Sequence, residues 1–469
     1  MTIRKYTLLT VLLVMLSGCK GFLGNVPKGY QIPQKVEEFD LLLNGEDLLT
    51  YGASFLDLMV DQAHIPGSLP PEYMQINLTY GMSESWRRMY LYDDYFYEPN
   101  KDDQIYVNGY KRIFIYNAII EGLKDATGDD KERSRVRAEA LAGRAFEYLM
   151  LVTVYAPPYD KERASQALAV PLNLSDDINK QDLPIATQQE VWDQIFSDLD
   201  EALPALPEKP TTNAYRMSRT AGYALYARAA FLTHQYDLAL EYAKKALQGN
   251  DALLDMKPLT LNVNEWAAGE RNNYPEALTN PESIYIRHFL PYIGLSEYLL
   301  VGQRALALYG DEPEKDMRYF LFITDIPGGT PEANPEGEFT WNPAVEFNIG
   351  LSTPEMYLIA AECEARKGMI AEPLARLNAL RAQRIHDYTP LNISDKKELI
   401  STIIAERERE YLLRGYYRYM DLKRLATDSE FAVTVTHYDV DGKAVVADPK
   451  SPDYLKHPLP YIVLEGRGE

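Results

Sequence analysis

Cysteine is nearly absent from these 469 residues: there are two, Cys19 and Cys363. Cys19 is assigned below to a lipid anchor, which leaves Cys363 without a partner and the chain without an intramolecular disulfide. Cys363 sits among alanines in MYLIAAECEARKG, where a small buried thiol packs well, and no histidine is placed to activate it. Histidine is scarce too. The six, at 64, 234, 288, 386, 437 and 457, never stand three or four apart, so no zinc-type spacing exists and neither metal nor cofactor is expected. Positive charge is outnumbered, 48 basic against 69 acidic residues, net −21. With no basic stripe and a field that repels phosphates, nucleic acid is excluded as a partner. Catalytic signatures are missing: there is no GxSxG, no HExxH and no phosphate-cradling glycine loop. The carboxylate pairs Asp93–Asp94 and Asp102–Asp103 are neighbours in sequence, which favours solvated rather than convergent side chains. No enzyme is expected.

Long apolar runs are missing as well, apart from Leu8 to Leu16, which is too short to span a bilayer as a mature helix. It follows Arg4 and Lys5 and ends in Leu16-Ser17-Gly18-Cys19, small residues leading to a cysteine. That is a lipobox. Residues 1–18 are expected to be a lipoprotein signal peptide, with Cys19 acylated and the protein anchored to a membrane rather than spanning it. Residues 19–36 carry glycine and proline every few positions and read as a tether.

What is abundant is tyrosine, 35 against 14 phenylalanines, a side chain suited to half-buried helix packing and to polar ligands. Helical periodicity dominates the rest of the chain. The stretch 398–426 reads as two helices broken at Gly415. In the first, Leu399, Ile403, Ile404, Arg407, Glu410 and Tyr411 share a face, so charge is folded into an apolar stripe. Charges so placed need partners, and Glu406, Glu410, Arg418, Asp421 and Arg424 are expected to form a buried structural network.

Three further helix pairs are read at about 133–206, 216–249 and 352–385. In 216–249 the small residues Ala227, Ala239 and Ala246 and the large Tyr236 and Leu247 stand where tetratricopeptide repeats place theirs. In 352–385, Pro354 marks a first turn, Gly368 an end, and Pro373 puts the second helix's start near Ala371. Thr187 with Glu190 forms a capping box. The spacing between pairs is too irregular for a solenoid, and long insertions at about 61–103, 250–350 and 427–469 separate them. The expected fold is mainly α: four tetratricopeptide-like helix pairs forming a curved scaffold, with irregular loop insertions and little β, and residues 37–469 making one domain.

The pattern ERxRE–(4)–GxxRxxDLKR at 406–424 resembles the C-terminal signature of the SusD/RagB family of Bacteroidetes outer-membrane nutrient-binding lipoproteins. RxxAxxxRAxxYxxLVxxYA at 137–156, DLDEALPALP at 198–207, STPEMYLIAAE at 352–362 and HPLPYIVLEG at 457–466 resemble family segments in the same order. Asp316-Met317-Arg318 resembles the family's D-x-R segment and is expected to be a structural pair. The resemblance implies non-catalytic capture of an oligosaccharide, or a peptide, at the cell surface. It also implies an outer-membrane lipid anchor and delivery to a SusC-like TonB-dependent transporter. A tetratricopeptide-like interaction scaffold is the alternative, and a glycan hydrolase a third reading.

A ligand surface is sought among aromatic and polar residues outside the helix pairs, because flat rings cover the C–H faces of sugars while polar neighbours take the hydroxyls. Trp192 lies in a repeat helix and is read as core. Trp86, Tyr92, Asp93, Trp266, Tyr292, Arg304 and Trp341 are the candidates for one shared surface.

Overall fold

A computed structural model describes residues 33–51, 54–67, 78–79, 82–98, 103–179, 183–264, 267–272, 274–289, 299–325, 334–341, 347–460 and 463. The signal peptide and Cys19 therefore lie outside the described residues, as do Trp266 and Tyr292. No described helix is long and apolar enough to cross a membrane.

Thirteen helices are described, numbered here in chain order: α1 Val36–Leu42, α2 Glu84–Tyr90, α3 Gln104–Gly122, α4 Asp130–Tyr155, α5 Gln188–Ala202, α6 Arg219–Leu232, α7 Tyr236–Gly249, α8 Gln303–Leu306, α9 Met317–Phe322, α10 Thr353–Arg366, α11 Ala371–Ala382, α12 Lys396–Glu410 and α13 Tyr416–Leu425. The starts are set by side chains that accept orphan backbone N–H groups. Asp129 takes those of Lys131 and Glu132, Ser218 that of Ala221, and Asp395 that of Glu398. Thr187 and Glu190 form the full capping box, each side chain accepting the other's backbone N–H. At the other end, Gly368 follows α10 at φ 86, a left-handed position that glycine takes without penalty.

The scaffold is built from helices packed side by side. α4 lies against both α3 and α5, α6 against α7, and α10 against α7, α11 and α12. Small residues make these approaches possible: Ala224, Ala227, Ala239, Ala243, Ala360 and Ala361 are all fully buried. α12 and α13 depart from the pattern of the other pairs. α12 packs chiefly on α10, and α13 leans on a 3₁₀ segment at Ser54–Met59. The turn between the two admits no lengthwise packing, and ion pairs join them instead.

Strand is confined to short ladders that pin the insertions down. Ala63–His64, Leu300–Val301, Thr340–Trp341 and Ile323–Thr324 form one antiparallel sheet. Thr50–Tyr51 pairs in parallel with His288–Phe289. A hairpin, Val435–Tyr438 with Ala444–Ala447, alternates Val435 and His437 inward with Thr436 and Tyr438 outward. Residues 61–103 show no stable period in sequence, yet α2 forms there, capped by Ser83 and braced by Glu84 with Arg87 and Arg88 one turn on.

Candidate ligand cleft

The structure separates the candidate residues rather than joining them. Trp341 is 2 % exposed and stacks on Phe347, ring centroids 5.5 Å apart, so it is core and offers no face to a ligand. Its strand pairs with two others, and that pairing turns the ring inward. Arg304 is held by Asp61 at 2.8 Å and by Glu408, where it neutralises buried carboxylates and stands outside the cleft that Tyr92 lines. The burial of Trp341 takes that ring out of the expected ligand surface. Trp86 is half-buried on α2 and packs against the core.

Tyr92 and Asp93 remain, and they do line a cleft. It has a volume of about 520 Å³ and lies between residues 92–96, at the end of α2, and the C-terminal segment 446–458. Tyr92 is half-buried and Phe96 and Tyr454 are buried behind the lining, while Asp93, Asp94, Asp448 and Asp453 are exposed carboxylates along the same walls. The far wall was not found from sequence, because only tertiary folding brings 446–458 to α2. No local pattern marks it.

The backbone places Tyr92 by ending α2 in a Schellman turn. The Asp93 N–H reaches Arg88 O at 3.0 Å and the Tyr92 N–H reaches Met89 O at 3.1 Å. Tyr92 itself takes φ 55, where glycine is usual. Tertiary contacts hold it in that strained form: its hydroxyl donates to Met59 O at 3.2 Å and its ring stacks on His437 at 4.9 Å. His437 also stacks on Tyr90 at 4.0 Å, and its two ring nitrogens face the carbonyls of Tyr90 and Val60. Burial lowers the His437 pKa, and burial raises the Tyr92 phenol well above its usual value.

Behind the cleft lies the network around α12 and α13. Glu406 accepts from Arg318 at 2.8 Å, from Arg409 at 2.6 Å and from Arg381. Glu410 accepts from Arg318 and Arg384, both at 2.8 Å. Arg407 meets Asp421 at 2.8 Å, Arg424 meets Glu362 at 2.7 Å, and Arg418 meets Asp61 at 2.6 Å. Arg318 also pairs with Asp316 at 2.7 Å. Burial pushes the Glu406 carboxyl up, but Arg318, Arg409 and Arg381 outweigh it and hold the group well below the usual range. The outcome for Glu410 is similar: burial raises it, Arg384 and Arg318 lower it, and it ends at about 2. Among the described residues, no group of three or more His, Cys, Asp or Glu side chains is arranged to hold a metal ion.

A family model described as starch-binding and associating with the outer membrane matches residues 34–231, and the SusD family model matches 353–450. No curated protein sequence matches the chain. Solved structures do. A SusD superfamily protein from Bacteroides fragilis is 18 % identical, with 93 % of this chain and 98 % of that one covered at a TM-score of 0.70. Another from Bacteroides thetaiotaomicron is 19 % identical, covering 92 % and 98 %, at 0.69. A laminarin-binding SusD-like protein is 16 % identical, covering 87 % and 96 %, at 0.57. These likenesses carry the fold, and the two family models together span most of the helical scaffold and the α12–α13 signature. The chain belongs to the SusD/RagB family.

Proposed function

We propose that the protein binds an oligosaccharide at the cell surface without cleaving it and hands it to a SusC-like TonB-dependent transporter. In this reading Cys19 carries the lipid that holds the protein at the outer membrane. Family membership supports the class of function, and one structural neighbour is a laminarin-binding protein. The observation that carries the reading is the cleft itself, where the half-buried Tyr92 sits among four exposed carboxylates. Carboxylates accept hydrogen bonds from sugar hydroxyls while rings cover C–H faces. Transporter docking draws support from Leu168, Leu174 and Ile178, apolar side chains left 54 %, 40 % and 68 % exposed along one segment.

Calorimetric titration of the protein against plant, host and microbial oligosaccharides tests the first step. One glycan class is expected to bind saturably, with no new reducing ends after prolonged incubation. Replacing Asp93 and Asp94 together by alanine is expected to weaken that binding at least tenfold. Unchanged affinity would move the site out of this cleft, and product formation would overturn the non-catalytic reading. For the second step, Ile178→Asp is expected to abolish co-purification with the transporter while leaving glycan affinity intact.

A further inference from the structure

The ion-pair network borders one arginine that forms no ion pair among the described residues. Around Glu410 the described carboxylates are Asp316, Glu282, Glu406 and Glu410, and the described arginines are Arg318, Arg381, Arg384, Arg409 and Arg414. Every one of these arginines except Arg414 holds a carboxylate at ion-pair distance. Arg414 makes no ion pair with any described residue, and its Nε is buried without a hydrogen-bond partner. Four carboxylates thus face five arginines, and Arg414 is the one without a contact ion pair, although its field acts on Glu410.

The side chain is held in place. Its guanidinium lies over Phe347, 3.8 Å from the ring centroid, with Tyr411 at 5.8 Å and Phe322 at 6.0 Å. The backbone on either side is left-handed, Leu413 at φ 47 and Gly415 at φ 62. Distant residues fix both positions. The Leu413 N–H donates to Gln62 Oε1 at 3.1 Å, and the Gly415 N–H donates to the Asp57 carboxyl at 3.0 Å. A non-glycine residue in this region costs on the order of 1–3 kcal/mol, so the turn is imposed by its surroundings and not chosen locally.

Arg414 lines a cavity with Tyr274, Asn280, Ser283, Ser352 and Tyr411. It is narrow, with about 30 Å³ open to the centres of water-sized groups, room for a carboxylate group or two waters but not for a sugar ring. Ser352 immediately precedes the 14-residue α10, and its side chain does not cap that helix. Its hydroxyl meets the Tyr411 hydroxyl at 3.0 Å instead. Glu282 and Glu410 border the cavity too, but Arg384 binds both, at 2.7 and 2.8 Å, and masks their repulsion of an anion.

We propose that this cavity binds one carboxylate group, borne by an acidic sugar or by a peptide terminus, with Arg414 as its ion-pair partner. A guanidinium presents paired donors that match the two oxygens of a carboxylate. A single surplus charge matches a monoanion and leaves a phosphate dianion half uncompensated. The rest of the ligand stays outside the enclosed volume.

The test uses the full-length protein in detergent at low salt, titrated calorimetrically with sodium D-galacturonate, with N-acetylglycine and with neutral D-galactose. At least one carboxylate is expected to bind saturably where galactose does not. Tighter binding of galacturonate assigns an acidic sugar, and tighter binding of N-acetylglycine a peptide terminus. Arg414→Gln is expected to weaken binding at least tenfold, while Arg88→Gln, at a surface arginine already paired with Glu84, leaves it unchanged. Should Arg414→Gln fail to fold, Arg414→Lys decides, since it keeps the charge and loses the paired donors. Binding weakened threefold or more supports the proposal, and unchanged binding overturns it. Absence of carboxylate binding by the wild type, or equal binding by Arg414→Gln, also overturns it. The glycan cleft does not include Arg414, so its fate is read separately.

Discussion

Asp57 lies buried beneath the turn that starts α13, with both carboxyl oxygens 3.0 Å from the Gly415 N–H. Among the described residues no arginine pairs with it, and burial pushes its pKa from 3.8 up to about 8, against the opposing pull of that N–H. A raised folded pKa gives stability that is complete below the unfolded value of 3.8 and lost as pH rises through about 8. Asparagine keeps an acceptor for Gly415 and removes the titration. Asp57→Asn is therefore expected to raise Tm at pH 9 and to raise it less at pH 5, measured by circular dichroism melts. An equal gain at both pH values would show that ionisation of Asp57 is not the cause. Trp341 makes the opposite point about single residues. Its sequence surroundings look like a loop, but the strand that carries it is stitched into a sheet and the ring is core. Trp341→Ala is expected to cost about 3–5 kcal/mol of stability in denaturant titrations. Glycan affinity of the folded fraction should stay the same.

At the scale of elements, much was legible because helix signals are local. The capping box at Thr187 and Glu190, the start of α11 at Ala371 before Pro373, and the stop at Gly368 could each be read from a few adjacent residues. The buried charge around α12 was legible for the same reason, since charges in an apolar stripe demand partners. Which partners they would find was not. Asp61 and Glu362 reach Arg418 and Arg424 only through the tertiary fold, whereas Asp316 and Arg318, two residues apart, form the pair their spacing suggests. The end of α2 was hidden too, because a tyrosine occupies the left-handed position where glycine would have marked it. Helix contacts carry a further test. A Cβ on Gly143 of α4 would run into the Tyr116 ring on α3. Glycine inside a helix is normally worse than alanine by roughly 0.5–1 kcal/mol, so this position owes its residue to packing. Gly143→Ala is expected to destabilise by about 1–3 kcal/mol despite its better helix propensity, as a lowered midpoint in urea. A rise in midpoint would mean that α3 can shift aside freely.

For the whole molecule, the decisive contacts cross between segments that are far apart in the chain. Arg228 on α6 meets Glu355 on α10 at 2.6 Å, and Arg418 on α13 meets Asp61 at 2.6 Å. The Gln62 side-chain amide donates to Glu408 O at 3.2 Å. Lys423, fully buried on α13, donates to Thr153 O and Ala156 O at 2.5 Å, closing the end of α4. Burial, aided by the nearby Lys456, lowers the Lys423 pKa well below its usual value. Each contact spans more than a hundred residues, and losing either partner leaves a buried polar group unpaired, at about 1–3 kcal/mol or more apiece. The N-terminal helices therefore cannot keep their buried arginines and carbonyls satisfied without the C-terminal ones. The protein is expected to unfold in one calorimetric transition, with calorimetric and van't Hoff enthalpies agreeing. A fragment ending after α7 is expected not to fold, because Arg228, Asp61 and the end of α4 would all be left facing nothing. Two resolved transitions, or a folded fragment, would mean that the cross-chain network joins two independent units instead of completing one.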